Sequence, residues 1–271
     1  MLNPFSQSAE LDNYCNLELY GTEENGYFLK LIILKNPNNI LQKVQAVKSE
    51  CPVNDNKFES SITRARMKFF ELAYCNNWDY FITVTLDGSK YNRFDLQKFH
   101  KDFTTFLYEF KRRKYKIDFL IIPEKHLSGA WHFHGLLRGL PPSELHQYRI
   151  GEKMSSEMAY LIKSGRSIYQ WPSISDKFGF NTLEPIQNKE AVTKYVTKYV
   201  TKDISRSVSE VGAHLYYHSR GLNQKKSIKQ GSICKGVDLS PLYYSENDNC
   251  IIKEFAYSEE NLSKILDIFT K

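Results

Sequence analysis

The chain has 271 residues, 41% of them hydrophobic and 25% charged, with a formal net charge of +6. That length suits one large domain or two small ones and buries a core without help from disulfides or structural metals. No apolar run approaches the ~18 residues of a membrane span, and Met1–Gln7 lacks the basic-then-apolar order of a secretory signal.

In chain order, residues 1–57 read as strands and loops, with Tyr27–Leu34 the best strand and Asn36–Asn39 a turn. Ile62, Phe69, Phe70, Leu72 and Ala73 give a helix over 61–75. Tyr80–Leu86, β-branched and aromatic, reads as a central strand. Apolar Leu96, Phe99, Phe103, Phe106, Leu107 and Phe110 recur every three or four residues, so Phe94–Arg113 is an amphipathic helix. Ile117–Glu124 is a second strand, and Leu127–Ala130 turns the chain into a third, Trp131–Arg138. A further strand over Phe178–Ile186 precedes a helix from Lys189 to Ile204, and Ser258–Phe269 closes the chain as a docked helix. The expected fold class is α+β, with helices packed on a central antiparallel sheet. The five cysteines (Cys15, Cys51, Cys75, Cys234 and Cys250) are dispersed. An odd, scattered set reads as reduced thiols in a cytosol and leaves no Cys-x-x-Cys zinc site.

Trp131-His-Phe-His134 carries histidines at i and i+2, which share one face of a strand. The preceding strand ends in Glu124, and a hairpin through Ser128-Gly129 brings its carboxylate toward the pair. Two imidazoles and a carboxylate with open positions make a catalytic metal site rather than a closed structural one. The alternative reading is two surface histidines on a half-exposed strand.

The segment Lys194-Tyr-Val-Thr-Lys-Tyr-Val-Thr-Lys202 has a period of four. On a helix it sorts into a valine stripe, a tyrosine stripe at the border and a lysine stripe beside it. Tyr195 and Tyr199 then stand one turn apart, flanked by Lys194, Lys198 and Lys202. Ammonium groups lower the cost of a phenolate, whose free pKa is about 10, and can hold a phosphodiester. The alternative is a pair of amphipathic edge residues, ring inward and hydroxyl outward. The surrounding charge is uneven: nine bases and three acids lie between Lys189 and Lys229, ahead of an acidic tail. Such a run is either a solvated face or a nucleic-acid contact.

The three segments together, Phe81–Thr85, Glu124 with Trp131–Leu137, and Tyr195–Lys202, resemble the HUH endonucleases. More narrowly, they resemble the two-tyrosine rolling-circle replication initiators of plasmids and small single-stranded DNA phages. The resemblance covers roughly residues 60–205, and Tyr217–Leu222 is similar to a late segment of such proteins. Ser128-Gly129 stands at the hairpin turn where close relatives are expected to carry Asp-Gly.

The resemblance implies a ferredoxin-like, RRM-like palm over 59–205, with an N-terminal extension (1–58) and a C-terminal one (206–271) packed on it. It implies a Mg²⁺ or Mn²⁺ ion at Glu124, His132 and His134, and Tyr195 and Tyr199 as nucleophiles assisted by Lys198. Lys194, Lys202, Arg206 and Arg220 are the expected DNA contacts. The expected activity is nicking and rejoining of single-stranded origin DNA, hairpin-associated, through a 5′-phosphotyrosine and a free 3′-OH, with no nucleotide cofactor. No Gly-x-x-x-x-Gly-Lys-Ser/Thr occurs in the sequence, so unwinding and synthesis are expected from a host helicase and polymerase in a bacterial cytoplasm. The rival readings are a mobilisation relaxase or single-strand transposase, a metal-stabilised DNA-binding module without nuclease activity, and a hydrolytic metallo-phosphoesterase.

Overall fold

The computed structural model describes residues 14–35, 55–112, 115–187, 215–234, 236–247 and 250–270. In chain order these form β1 (Tyr14–Thr22), β2 (Gly26–Leu34), α1 (Asp55–Tyr74), β3 (Tyr80–Leu86), α2 (Leu96–Arg112), β4 (Asp118–Lys125) and β5 (Trp131–Arg138). Then come β6 (His146–Gln147), α3 (Ser156–Lys163), β7 (Tyr169–Gln170), α4 (Pro172–Lys177), β8 (Gly179–Pro185) and β9 (Tyr217–His218). The last are β10 (Lys226–Ser232), β11 (Tyr243–Glu246), β12 (Cys250–Ala256) and α5 (Glu259–Leu266). Two compact units result: residues 54–222, and the two chain ends together. Among the described residues no helix is long and apolar enough to cross a membrane. Cys234 and Cys250 are free thiols.

The unit formed by the chain ends is a sheet of order β10-β1-β2-β12-β11. The β1–β2 hairpin keeps unbroken register from Tyr14 opposite Leu34 to Thr22 opposite Gly26. Alternation puts Cys15, Leu17, Leu29, Leu31 and Ile33 on one face, where they are buried with Phe255 of β12 and Ile265 of α5. Ser258 caps α5 by accepting a hydrogen bond from the Asn261 amide at 3.0 Å. The segments that the sequence presents as two separate extensions thus contribute strands to one sheet. Tyr217–Leu222, expected in the C-terminal extension, falls instead in the 54–222 unit.

The second unit holds a seven-stranded sheet of order β6-β7-β8-β3-β5-β4-β9. Its centre, β8-β3-β5-β4, is antiparallel at every junction. β3 and β4 therefore run the same way with β5 inserted between them, the split β-α-β arrangement in which α2 makes the crossover. The aromatic stripe of α2 drives the packing: Phe99, Phe103, Phe106 and Phe110 are buried against Ile82, Val84, Phe133, Leu137 and Leu183. The rings of Phe99 and Phe133 stack with centroids 3.8 Å apart. Each such side chain, fully buried, contributes about 1.5–3 kcal/mol. On the opposite face α1 covers only part of the sheet, burying Ile62, Phe69 and Leu72 with Leu120, Ile122 and Leu136.

The strands expected over 80–86 and 131–138 have those bounds. Helix α2 starts two residues later than expected because the Asp95 side chain accepts from the Lys98 amide at 2.9 Å and caps it. The connection from 139 to 178 carries two short strands, two short α-helices and a 3-10 turn that the sequence pattern did not announce.

Gly135 fixes how closely β4 approaches β5. A Cβ there would lie 2.4 Å from the Leu120 carbonyl oxygen and 2.6 Å from Ile121 Cγ2. Gly135→Ala is therefore expected to destabilise the protein by about 1–3 kcal/mol, the usual cost of overpacking. The check is a lowered denaturation midpoint at unchanged m-value.

Candidate metal and DNA site

Pairing across the four central strands sorts the face opposite α2 into rows. One row reads Phe180, Thr85, His132, Glu124; the next reads Thr182, Thr83, His134, Ile122. The third reads Glu184, Phe81, Leu136, Leu120 and leads into the apolar patch under α1. The face thus changes from polar to apolar along the strands, and the two histidines stand at the polar end.

The hairpin that delivers Glu124 beside His132 is tight. The His126 amide donates to the Ala130 carbonyl at 2.9 Å, and the Gly129 amide to the His126 carbonyl at 2.8 Å. Gly129 has φ +82°, a conformation glycine adopts without penalty. The expected turn at 127–130 is therefore present, and Ser128 in place of aspartate does not disturb it. The Trp131 amide donates to the Arg93 carbonyl at 2.8 Å, tying the start of β5 to the loop before α2.

Each histidine ring is held through Nδ1. Thr83 Oγ1 lies 3.1 Å from His134 Nδ1, and Thr85 Oγ1 lies 3.4 Å from His132 Nδ1. Both threonines lie on β3, opposite the histidines they hold. A hydroxyl both donates and accepts, so it steadies either tautomer of its partner. His134 is buried, and its Nε2 lies 2.7 Å from Glu124 Oε2. His126 stacks on His132 with ring centroids 5.3 Å apart.

The electrostatics follow from this crowding. The hydrogen bond from His134 holds the Glu124 carboxyl below its ordinary range, against the opposing effect of burial. Burial pushes the His132 imidazole below its ordinary value, reinforced by His126, His134 and Arg93 and opposed by Glu124. Neutral imidazoles and an ionised carboxylate are the forms that ligate a cation.

The donor types are those that ligate divalent cations: two imidazoles and one carboxylate, with hydroxyls set against the imidazole Nδ1 atoms. Glu124 instead bonds His134 directly. Among the described residues no group of three or more His, Cys, Asp or Glu side chains is placed so that it could hold a metal ion as it stands. Binding an ion through His134 Nε2 requires its proton to move to Nδ1, a change the Thr83 hydroxyl accommodates by rotating.

The expected helix over 189–204, with Tyr195, Tyr199, Lys198, Lys194 and Lys202, lies outside the described residues, as does Arg206. Arg220 is described and is not among the histidines. It borders a cleft of about 340 Å³ lined also by His100, Tyr108, Lys116 and His218, beside the end of β4 remote from Glu124. In the sequence Thr83 and Thr85 share a strand face, which reads either as sheet packing or as a lining of the DNA site; in the structure both bond the histidines. Their spacing of two on β3, the same as that of the histidines on β5, was the signal. Phe180 carried none, because its place in the row depends on the β3–β8 register.

Residues 79–204 match the model of the replication-associated protein ORF2 family, rolling-circle replication initiators; the match runs from the start of β3 through the two-tyrosine segment. No curated protein and no solved structure matches the chain.

The depressed His132 pKa makes a pH prediction. Above the ordinary value of 6.5 both folded and unfolded chains carry neutral His132, so it contributes nothing there. As pH falls below 6.5 the unfolded chain takes up the proton first, and stability declines toward the folded pKa. Glu124 has the opposite relation: its contribution is present above its ordinary 4.5 and is lost as pH falls through its lower folded value. Melting temperatures recorded from pH 7.5 down to 5 should fall less steeply for His132→Asn than for the native chain.

Proposed function

We propose that this protein initiates rolling-circle replication by nicking and rejoining single-stranded DNA at an origin through tyrosine transesterification. The observation that carries the reading is the row of Thr85, His132 and Glu124, with Thr83 and His134 beside it, inside the stretch that matches an initiator family. Support also comes from Tyr195 and Tyr199, four residues apart in the same matched stretch.

Glu124, His132 and His134 would hold Mg²⁺ or Mn²⁺, which when bound supplies Lewis-acid polarisation of the scissile phosphate. Thr83 and Thr85 keep the imidazoles aimed, so that little reorganisation accompanies the reaction. The phenol oxygen of one tyrosine attacks phosphorus; the new Oη–P bond forms as the P–O3′ bond breaks. The phenolic proton is lost to solvent or a neighbouring base, and the departing 3′ oxygen takes up a proton. The products are a 5′-phosphotyrosine and a 3′-OH for a host polymerase to extend. The reverse attack by a 3′-OH rejoins the strand. The second tyrosine can open a regenerated origin while the first still holds DNA. Lys198 offsets charge developing on phosphate or phenolate. Lys194, Lys202, Arg206 and Arg220 contact the DNA backbone, which makes binding fall with salt. A host helicase opens the duplex, and the work is done in the cytoplasm of a bacterial host. The ester exchange conserves the bond energy, so no nucleotide cofactor is consumed.

The test is a denaturing gel of the protein incubated with single-stranded DNA from its own genetic element and Mn²⁺ or Mg²⁺. The expected result is a slower covalent band that needs the ion and disappears in Tyr195→Phe/Tyr199→Phe and in His132→Ala. Intact binding with no adduct on any fragment would leave a DNA-binding module, and free 5′-phosphate ends would indicate hydrolysis.

A further inference from the structure

Phe180 is a large apolar side chain left 44% exposed on the sheet face that carries the histidines. It begins the row that runs through Thr85 to His132 and Glu124, two strands from His132. At about 4.8 Å between neighbouring strands, its backbone is roughly 10 Å from that of His132. Scattered apolar residues on a surface are ordinary, but β8 inverts the usual polarity at this point. Phe180 faces outward, while the next residue, Asn181, is fully buried.

Asn181 explains how the inversion is held. Its Oδ1 accepts from the Trp171 amide at 2.8 Å, and its Nδ2 donates to the Trp171 carbonyl at 3.0 Å and to Ser175 Oγ at 2.8 Å. These bonds fix the start of β8, so Phe180 is presented by a rigid strand rather than a loop. The far end of the same face is not repulsive to an anion: Glu184 is paired with Arg166 at 2.5 Å. Arg93 is tied to the start of the histidine strand through its carbonyl, which accepts from the Trp131 amide at 2.8 Å.

An aromatic ring standing open beside a phosphate-directed cluster suits a nucleobase, since every base has a π-face and stacking tolerates any sequence. We propose that Phe180 is a stacking platform for one base of the single-stranded DNA, within about three nucleotides of the phosphodiester at His132 and His134, taking a rise of about 3.4 Å per stacked nucleotide. The identity of the ligand rests on the proposed function; the platform itself rests on the exposure, register and anchoring of Phe180. The ring acts by positioning the strand, with Thr85 as its direct neighbour in the row.

The test uses the full chain and oligothymidylate of about 20 nucleotides with 2-aminopurine near its centre, in EDTA so that no cleavage intervenes. Anisotropy gives the affinity, and 2-aminopurine quenching reports stacking. Phe180→Ala should weaken binding about 5- to 100-fold and lose the quenching. Phe180→Tyr and Phe180→Trp should retain both within about threefold, since either ring stacks. Tyr160→Ala, which removes an aromatic side chain 71% exposed on α3, should leave both unchanged. Circular dichroism melts of each variant separate a folding defect from a binding one. Native affinity and quenching in Phe180→Ala would overturn the platform, as would an equal loss in the folded Tyr and Trp variants. A native chain that binds and quenches but forms no adduct with Mn²⁺ would sink the nicking reading and leave the platform standing. Adduct formation with Phe180→Ala binding unchanged would do the reverse.

Discussion

The register of four antiparallel strands is the constraint on which the site depends. His132 meets Thr85 on one side and Glu124 on the other only because β3, β5 and β4 pair as they do. A slip of one residue in β5 would turn both histidines under the phenylalanines of α2 and put Phe133 in water. Several features resist that slip. Gly135 permits an approach to β4 that no other residue could make without displacing backbone, and Gly129 closes the hairpin with a left-handed residue. The apolar row Phe81, Leu136, Leu120 must face α1, while Phe133 and Leu137 must face α2.

Within that frame the chemistry is set by what surrounds each ring. A half-buried imidazole without a partner would cost free energy, because unsatisfied polar groups out of water are expensive. Two threonine hydroxyls remove that cost, and the opposite nitrogen of His134 meets Glu124. Threonine serves β3 in two ways, since it suits a strand by propensity and can reverse its hydrogen bond when the ring changes tautomer. In the Glu124–His134 contact a carboxylate meets the imidazole at Nε2. The suppressed basicity of Glu124 and His132 favours an ionised carboxylate and a neutral imidazole.

Much of the central sheet was legible in the sequence because its signals are strong and local. Tyr80–Leu86 and Trp131–Arg138 are bounded by turn residues, and α2 carries a phenylalanine every three or four positions. The grouping of Glu124 with the histidines followed from strand alternation and a short hairpin. What escaped were facts of long-range pairing. The β1–β10 and β2–β12 ladders join residues about two hundred positions apart, which no local period encodes. The role of Thr83 and Thr85 as ring holders, and the place of Phe180 in the row, both require knowing which strands neighbour β3. The connection between β5 and β8 escaped for another reason: its strands are two residues long, too short to show alternation.

The central claim is that Glu124, His132 and His134 are the donors for a divalent ion, and it can be tested by direct observation. Crystals of the full chain grown with Mn²⁺ should give one strong anomalous peak within bonding distance of both Nε2 atoms and a Glu124 oxygen, with Glu124 drawn off His134. An anomalous map with no peak at these residues, and Glu124 still bonded to His134 at saturating Mn²⁺, would contradict it.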